Sequence, residues 1–184
     1  NRDSAYSSRD WASSYQESQT RTSAREPEKR PEDFIKRGDH FVNREDYDEA
    51  IGEVTEAIRL DPNNGSAYSK RGRAYLEKDE YDRAIADYNQ AIKFSYYNAT
   101  NYNNRGHAYY YKKEYDRAIA DYTQALRLNP NDAMIYNNRG NAYYSTRNYD
   151  RAIEDYSQAL TLEPNFPVAK KNLDAARNAK RQGW

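Results

Sequence analysis

The sequence predicts an all-α fold, a solenoid of four helix hairpins closed by a capping helix. Three observations carry that prediction. A 34-residue unit occurs four times without insertion, at residues 31–64, 65–98, 99–132 and 133–166 of the 184-residue chain. Small and aromatic residues alternate within each unit at helical spacing. Proline closes three of the units, at Pro62, Pro130 and Pro164.

Taking the first residue of each unit as position 1, the first helix carries Phe34, Tyr68, Tyr102 and Tyr136 at position 4. Gly38, Gly72, Gly106 and Gly140 follow at position 8, and Phe41, Tyr75, Tyr109 and Tyr143 at position 11. These three positions share one face of a helix. A second helix opens at position 17 with Tyr47, Tyr81, Tyr115 and Tyr149. Its inner face has Ala50, Ala84, Ala118 and Ala152 at position 20, Val54, Tyr88, Tyr122 and Tyr156 at position 24, and Ala57, Ala91, Ala125 and Ala159 at position 27. Glycine inside a helix costs roughly 1 kcal/mol against alanine. Its fourfold recurrence therefore marks a close helix crossing, with Gly at position 8 expected to face Ala at position 20.

This constellation resembles the tetratricopeptide repeat family over residues 31–166, with two departures. Position 7, a leucine in the family pattern, is Arg37, Arg71, Arg105 and Arg139, and the second unit ends in Phe94, Ser95, Tyr96 and Tyr97 without proline. The resemblance implies a right-handed superhelical solenoid whose first helices line a concave groove, and a non-catalytic role in holding a peptide or partner protein. The position-7 arginines lie beside the packing face. Their guanidinium groups are expected to reach Asp87, Asp121 and Asp155 at position 23 of the second helix. Arg83, Arg117 and Arg151 at position 19 stand four residues before the same aspartates and are expected to pair with them along the helix.

The flanks differ in composition. Residues 1–30 form a polar arm rich in Ser, Arg and Glu, with isolated aromatics at Tyr6, Trp11 and Tyr15. The arm reads either as a solvated leader or as an aromatic anchor that self-associates by filling the groove of its own or a neighbouring chain. Residues 167–184 begin a further first helix. Leu173 and Ala176 continue its apolar stripe, whereas Lys170, Lys171, Asp174 and Arg177 make the other faces polar, as the cap of a repeat array must be.

Composition narrows the function. Twenty-nine basic and 29 acidic residues cancel, so no global field draws nucleic acid. No run of about 18 apolar residues would span a membrane, and no charged-then-apolar segment reads as a signal peptide. There is no cysteine, hence no disulfide, thiolate metal site or cysteine nucleophile, and redox chemistry does not fix the compartment. The two histidines, His40 and His107, occupy non-equivalent positions. No metalloprotease, hydrolase or phosphate-loop motif occurs, and no cofactor or metal is expected.

Candidate binding residues are those the repeat does not need. Thirteen of the 20 tyrosines sit at positions 4, 11, 17 and 24, where packing explains them. Of the others, Tyr110 and Tyr144 at position 12 and Tyr111 at position 13 fall on positions that the resemblance places in the groove. They form an aromatic strip there or thicken the helix packing. Asn104, Asn138 and the cap's Asn172 repeat in phase at position 6, preceded there by Lys70, with Asn103 and Asn137 at position 5. An amide both donates and accepts, so such a ladder can grip a peptide backbone; the alternative is solvated or helix-surface hydrogen bonding. Arg73, His107 and Asn141 at position 9 border it. The family's carboxylate clamp for acidic C-terminal tails does not map here: its positions hold Ile35, Asp39, Lys70, Thr100 and Asn104 in one register and Ser69, Arg73, Asn104, Met134 and Asn138 in the next.

Overall fold

The computed structural model describes residues 30–183. The arm aromatics Tyr6, Trp11 and Tyr15, and with them the self-association reading, lie outside the described residues. Among the described residues nine helices follow one another: α1 Pro31–Val42, α2 Tyr47–Leu60, α3 Gly65–Glu77, α4 Tyr81–Phe94, α5 Ala99–Tyr111, α6 Tyr115–Leu128, α7 Ala133–Ser145, α8 Tyr149–Leu162 and α9 Pro167–Arg181. There is no strand among the same residues.

Most of the helix ends have a local cause. The first helices stop in a turn whose 6→1 hydrogen bond runs from Asp46, Glu80, Glu114 and Asn148 N–H to the carbonyls of Phe41, Tyr75, Tyr109 and Tyr143. The left-handed residue such a turn needs is never glycine here: Glu45, Asp79, Lys113 and Arg147 hold φ of 64°, 59°, 62° and 61°. The second helices end at Leu60, Leu128 and Leu162, one residue before each Asp-Pro, Asn-Pro or Glu-Pro pair, as the restriction on a residue preceding proline requires. α4 stops at the equivalent Phe94 without a proline. Asn64, Asn98 and Asp132 then cap the next first helix, their side chains accepting from backbone N–H groups one turn on.

Helices pack mainly on their neighbours in the chain, hairpin by hairpin and then hairpin on hairpin. The centre of each hairpin is position 24: Val54, Tyr88, Tyr122 and Tyr156 are its largest fully buried side chains. Glycine at position 8 makes room for that residue. A Cβ on Gly106 would sit 2.9 Å from Tyr122 Cε1 and 3.3 Å from the Ala118 carbonyl, and one on Gly140 2.7 Å from Tyr156 Cε1. The expected Gly-to-Ala approach is therefore sharpened. The backbone at position 20 comes near, but the aromatic at position 24 sets the clearance.

The position-7 arginines reach across as expected. Arg71, Arg105 and Arg139 each clasp Asp87, Asp121 and Asp155 with two hydrogen bonds of 2.7–2.8 Å, and each adds a third to position 25 of the preceding unit, Thr55, Asn89 or Thr123. The position-19 arginines do not pair with those aspartates, which are buried and held from across the hairpin by the position-7 arginines. Arg83 and Arg117 bond Glu80 and Glu114 three residues back. Together with Arg151 they lie over the rings of Tyr75, Tyr109 and Tyr143. In α9, Leu173 and Ala176 are buried against the fourth hairpin, and Lys170, Lys171, Asp174 and Arg177 are exposed.

Candidate functional site

Two clefts open along the first-helix side of the solenoid. The first, about 440 Å³, lies between α3, α5 and the start of α7; Lys70, Arg73, Asn104 and Met134 are on its walls. The second, about 410 Å³, lies between α5, α7 and α9; Tyr110, Asn141, Tyr144 and Asn172 line it, over Tyr156 and beside Val168. Seven of the nine candidate residues thus fall into two groups, three in one cleft and four in the other. Asn138 and His107 lie outside both. The apolar wall residues Met134, Val168 and Ala175 are not among the candidates, although Met134 and Val168 stand at position 2 and Ala175 at position 9, equivalent in the repeat to positions the resemblance assigns to the groove.

The amides are joined to one another across the repeats. Asn138 Nδ2 donates to Asn103 Oδ1 at 3.3 Å, and Asn103 Nδ2 donates to Asn104 Oδ1 at 3.2 Å. Asn172 Nδ2 donates to both Asn137 Oδ1 and Asn141 Oδ1 at 3.0 Å. In the second unit Lys70 makes the equivalent contact, binding Asp39 at 2.7 and 2.8 Å. At Lys70, Asn138 and Asn172, position 6 of one unit therefore grips position 5 or 9 of the unit before it. These bonds leave the amides unequal. Asn141 has its oxygen engaged and its N–H₂ group free of protein partners among the described residues, Asn104 faces the Tyr88 hydroxyl of the preceding unit, and Asn172 has spent both of its hydrogens.

Under the ladder lie the position-24 phenols. Tyr156 Oη donates to Asn141 Oδ1 at 2.8 Å. In the second unit position 9 is Arg73, which has no acceptor atom, and the buried Tyr88 hydroxyl is left without an acceptor there, its polar neighbour being the Asn104 amide of the next unit. Burial pushes the Tyr88, Tyr122 and Tyr156 hydroxyls well above the usual phenol range, so all three stay neutral. Burial also holds His107 below the usual imidazole value, opposed to some extent by Glu77. Its ring lies 4.9 Å from that of Tyr111, which stacks in turn on Tyr81 at 5.4 Å.

The cleft tyrosines are braced from behind. Tyr110 lies 5.5 Å from Tyr115 at 59°, and Tyr144 lies 5.4 Å from Tyr149 at 61°. Position 17 thus fixes the ring at position 12 in both units, and Tyr144 remains 37% exposed.

Family models of the tetratricopeptide repeat match residues 35–99 and 133–166, and a further repeat model of the same kind matches residues 106–146. The tetratricopeptide domain of Arabidopsis OM64 is 30% identical, covering 62% of this chain and 94% of that one, with a TM-score of 0.61. The chain belongs to the tetratricopeptide repeat family. Its repeats accordingly build a superhelical solenoid of the kind that serves as a protein–protein interaction scaffold and is in general non-catalytic. The crystal structure of the MamA protein is 27% identical, with a TM-score of 0.76 and 82% of each chain covered. The first such domain of Spaghetti (RPAP3), solved with the HSP90 peptide SRMEEVD, is 29% identical, with a TM-score of 0.62 and 64% and 93% covered. No curated protein matches the chain. No helix among the described residues is long and apolar enough to cross a membrane.

Proposed function

We propose that residues 31–166 act as one four-repeat binding unit, closed by the cap at 167–184 and preceded by the polar arm at 1–30, that holds an extended peptide along its first helices. The supporting observation is the pair of neighbouring clefts on that side, both walled by first-helix residues of successive units. The amide N–H₂ groups of Asn104 and Asn141 offer donors to backbone carbonyls, and the braced rings of Tyr110 and Tyr144 offer contact area at little rotamer cost. Amide hydrogen bonds at about 1 kcal/mol each do not suffice for tight binding, so side-chain contacts in the clefts supply the rest.

The acidic tail bound by the RPAP3 domain is not the expected ligand here. The two registers of clamp positions offer Asp39, Thr100 and Met134 where basic or amide groups would be needed. The test is selection of peptides from a random library on the full chain, followed by calorimetry with Asn104→Ala and Tyr144→Ala. Each change is expected to weaken a selected peptide about tenfold with the melting temperature held. Unchanged affinity in both would remove the groove reading.

A further inference from the structure

We propose that the cleft between α5, α7 and α9 takes a proline-rich segment in the polyproline II conformation. The inference rests on the groove-binding reading and names the class of peptide. Proline has a carbonyl but no N–H, so a site built for it needs donors and flat apolar faces and has little use for acceptors. The hydrogen bonds within the cleft leave that set. Asn141 Oδ1 accepts from both Tyr156 Oη and Asn172 Nδ2, which occupies both of its lone pairs and leaves its N–H₂, a pure donor, without a protein partner among the described residues. Tyr110 Oη accepts from Ser145 Oγ at 3.4 Å, and its own hydrogen is left to give. Asn172 Oδ1 remains as one acceptor beside these donors.

The walls match the other half of the requirement. Tyr110 and Tyr144 present rings held in place by Tyr115 and Tyr149, and Val168 and Ala175 close the apolar side. A pyrrolidine ring packs flat against such aromatic faces, which is how aromatic-lined grooves read this conformation. Spacing agrees as well. Three polyproline residues rise about 9 Å, and packed helices lie about 8–10 Å apart, so prolines three residues apart would meet Tyr110 and Tyr144 in turn.

The experiment uses the full chain and a fluorescein-labelled oligoproline, with an equally long alanine-and-serine peptide as comparator, read by fluorescence anisotropy. Oligoproline is expected to bind and the comparator to bind at least about tenfold more weakly. Asn141→Asp is the deciding variant. It keeps the oxygen that receives Tyr156 and Asn172 but replaces the outward donor with a second acceptor. Binding of oligoproline should fall about tenfold or more with the melting temperature unchanged, and Tyr144→Ala should do the same through loss of the ring. Tighter binding by Asn141→Asp would overturn the proposal, because it would mean that the ligand brings N–H or cationic groups. Selection of proline-free peptides with no binding of oligoproline would overturn it while leaving the groove reading intact. Failure to capture any peptide would remove both.

Discussion

Arg139 and Asp155 form a two-pronged ion pair between the helices of the fourth hairpin, with Nε to Oδ2 at 2.8 Å and Nη2 to Oδ1 at 2.7 Å. Both side chains are largely out of water, at 18% and 6% exposure. Burial raises the affinity of Asp155 for a proton, and Arg139 opposes that rise. Removing the arginine strands a buried carboxylate. Arg139→Ala should therefore cost about 3 kcal/mol in denaturant unfolding. The equivalent pair of the first unit, Arg37 with Glu53, is 47% and 26% exposed. Arg37→Ala should cost about 1 kcal/mol or less. Equal losses would show that burial is not what makes the pair matter.

Glycine substitutions separate clearance from helix propensity. In Gly106→Ala the new methyl carbon would meet Tyr122 at 2.9–3.0 Å and the Ala118 carbonyl at 3.3 Å. The overpacking, about 1–3 kcal/mol, should outweigh the propensity gain of about 1 kcal/mol and leave a net loss. Gly52 lies inside α2 with nothing within 4 Å of a built Cβ. Gly52→Ala should then stabilise by about 1 kcal/mol. Thermal unfolding of the two variants checks both signs, and a stabilising Gly106→Ala would mean that the hairpin has slack at position 24.

These contrasts mark what was legible in the sequence. The phase of the repeats and the reach from position 7 to position 23 follow from helical spacing, because both ends of each contact lie on faces the period defines. The position-19 arginines pair elsewhere than spacing suggests, since spacing alone cannot tell that Asp87, Asp121 and Asp155 are buried and clasped from the other helix. A stripe of lysines was not foreseen at all: Lys78, Lys112 and Lys180 bind Asp48, Asp82 and Asp150 of the preceding unit. Their 30-residue separation is meaningful only once the crossing of successive hairpins is known. The asparagines show the same limit. Their recurrence is visible in the sequence, but which atom of Asn137, Asn138, Asn141 and Asn172 is left over depends largely on neighbours 31 to 35 residues away.

The left-handed turn residues offer a stabilising route. Lys113 sits at φ 62° in the turn between α5 and α6. A side chain in that conformation costs roughly 1–2 kcal/mol, some of which glycine returns as chain entropy in the unfolded state. Lys113→Gly is expected to raise stability by about 0.5–1 kcal/mol. Asp79 in the second unit makes a poorer target, because its carboxylate accepts from Tyr81 Oη at 2.6 Å and holds that phenol's pKa up at about 12. Its replacement by glycine should gain less. Chemical denaturation of the two single variants ranks them, and a larger gain at Asp79 would show that its bond to Tyr81 contributes nothing.

His107 gives the fold a pH dependence. Its imidazole is held below the usual value by burial, with Glu77 pulling the other way. In the unfolded chain the group takes up a proton near about pH 6.5, whereas in the fold it resists doing so until the pH is lower. Between those two titrations the unfolded state binds more protons, so stability falls as the pH falls below about 6.5. His107→Asn installs the amide that the fourth unit carries as Asn141 and removes the titration. The wild-type melting temperature should drop more steeply than that of the variant over this window. His40 is present in both chains, so the difference in slope isolates His107. Parallel curves would mean that His107 is protonated as readily in the fold as in the unfolded chain.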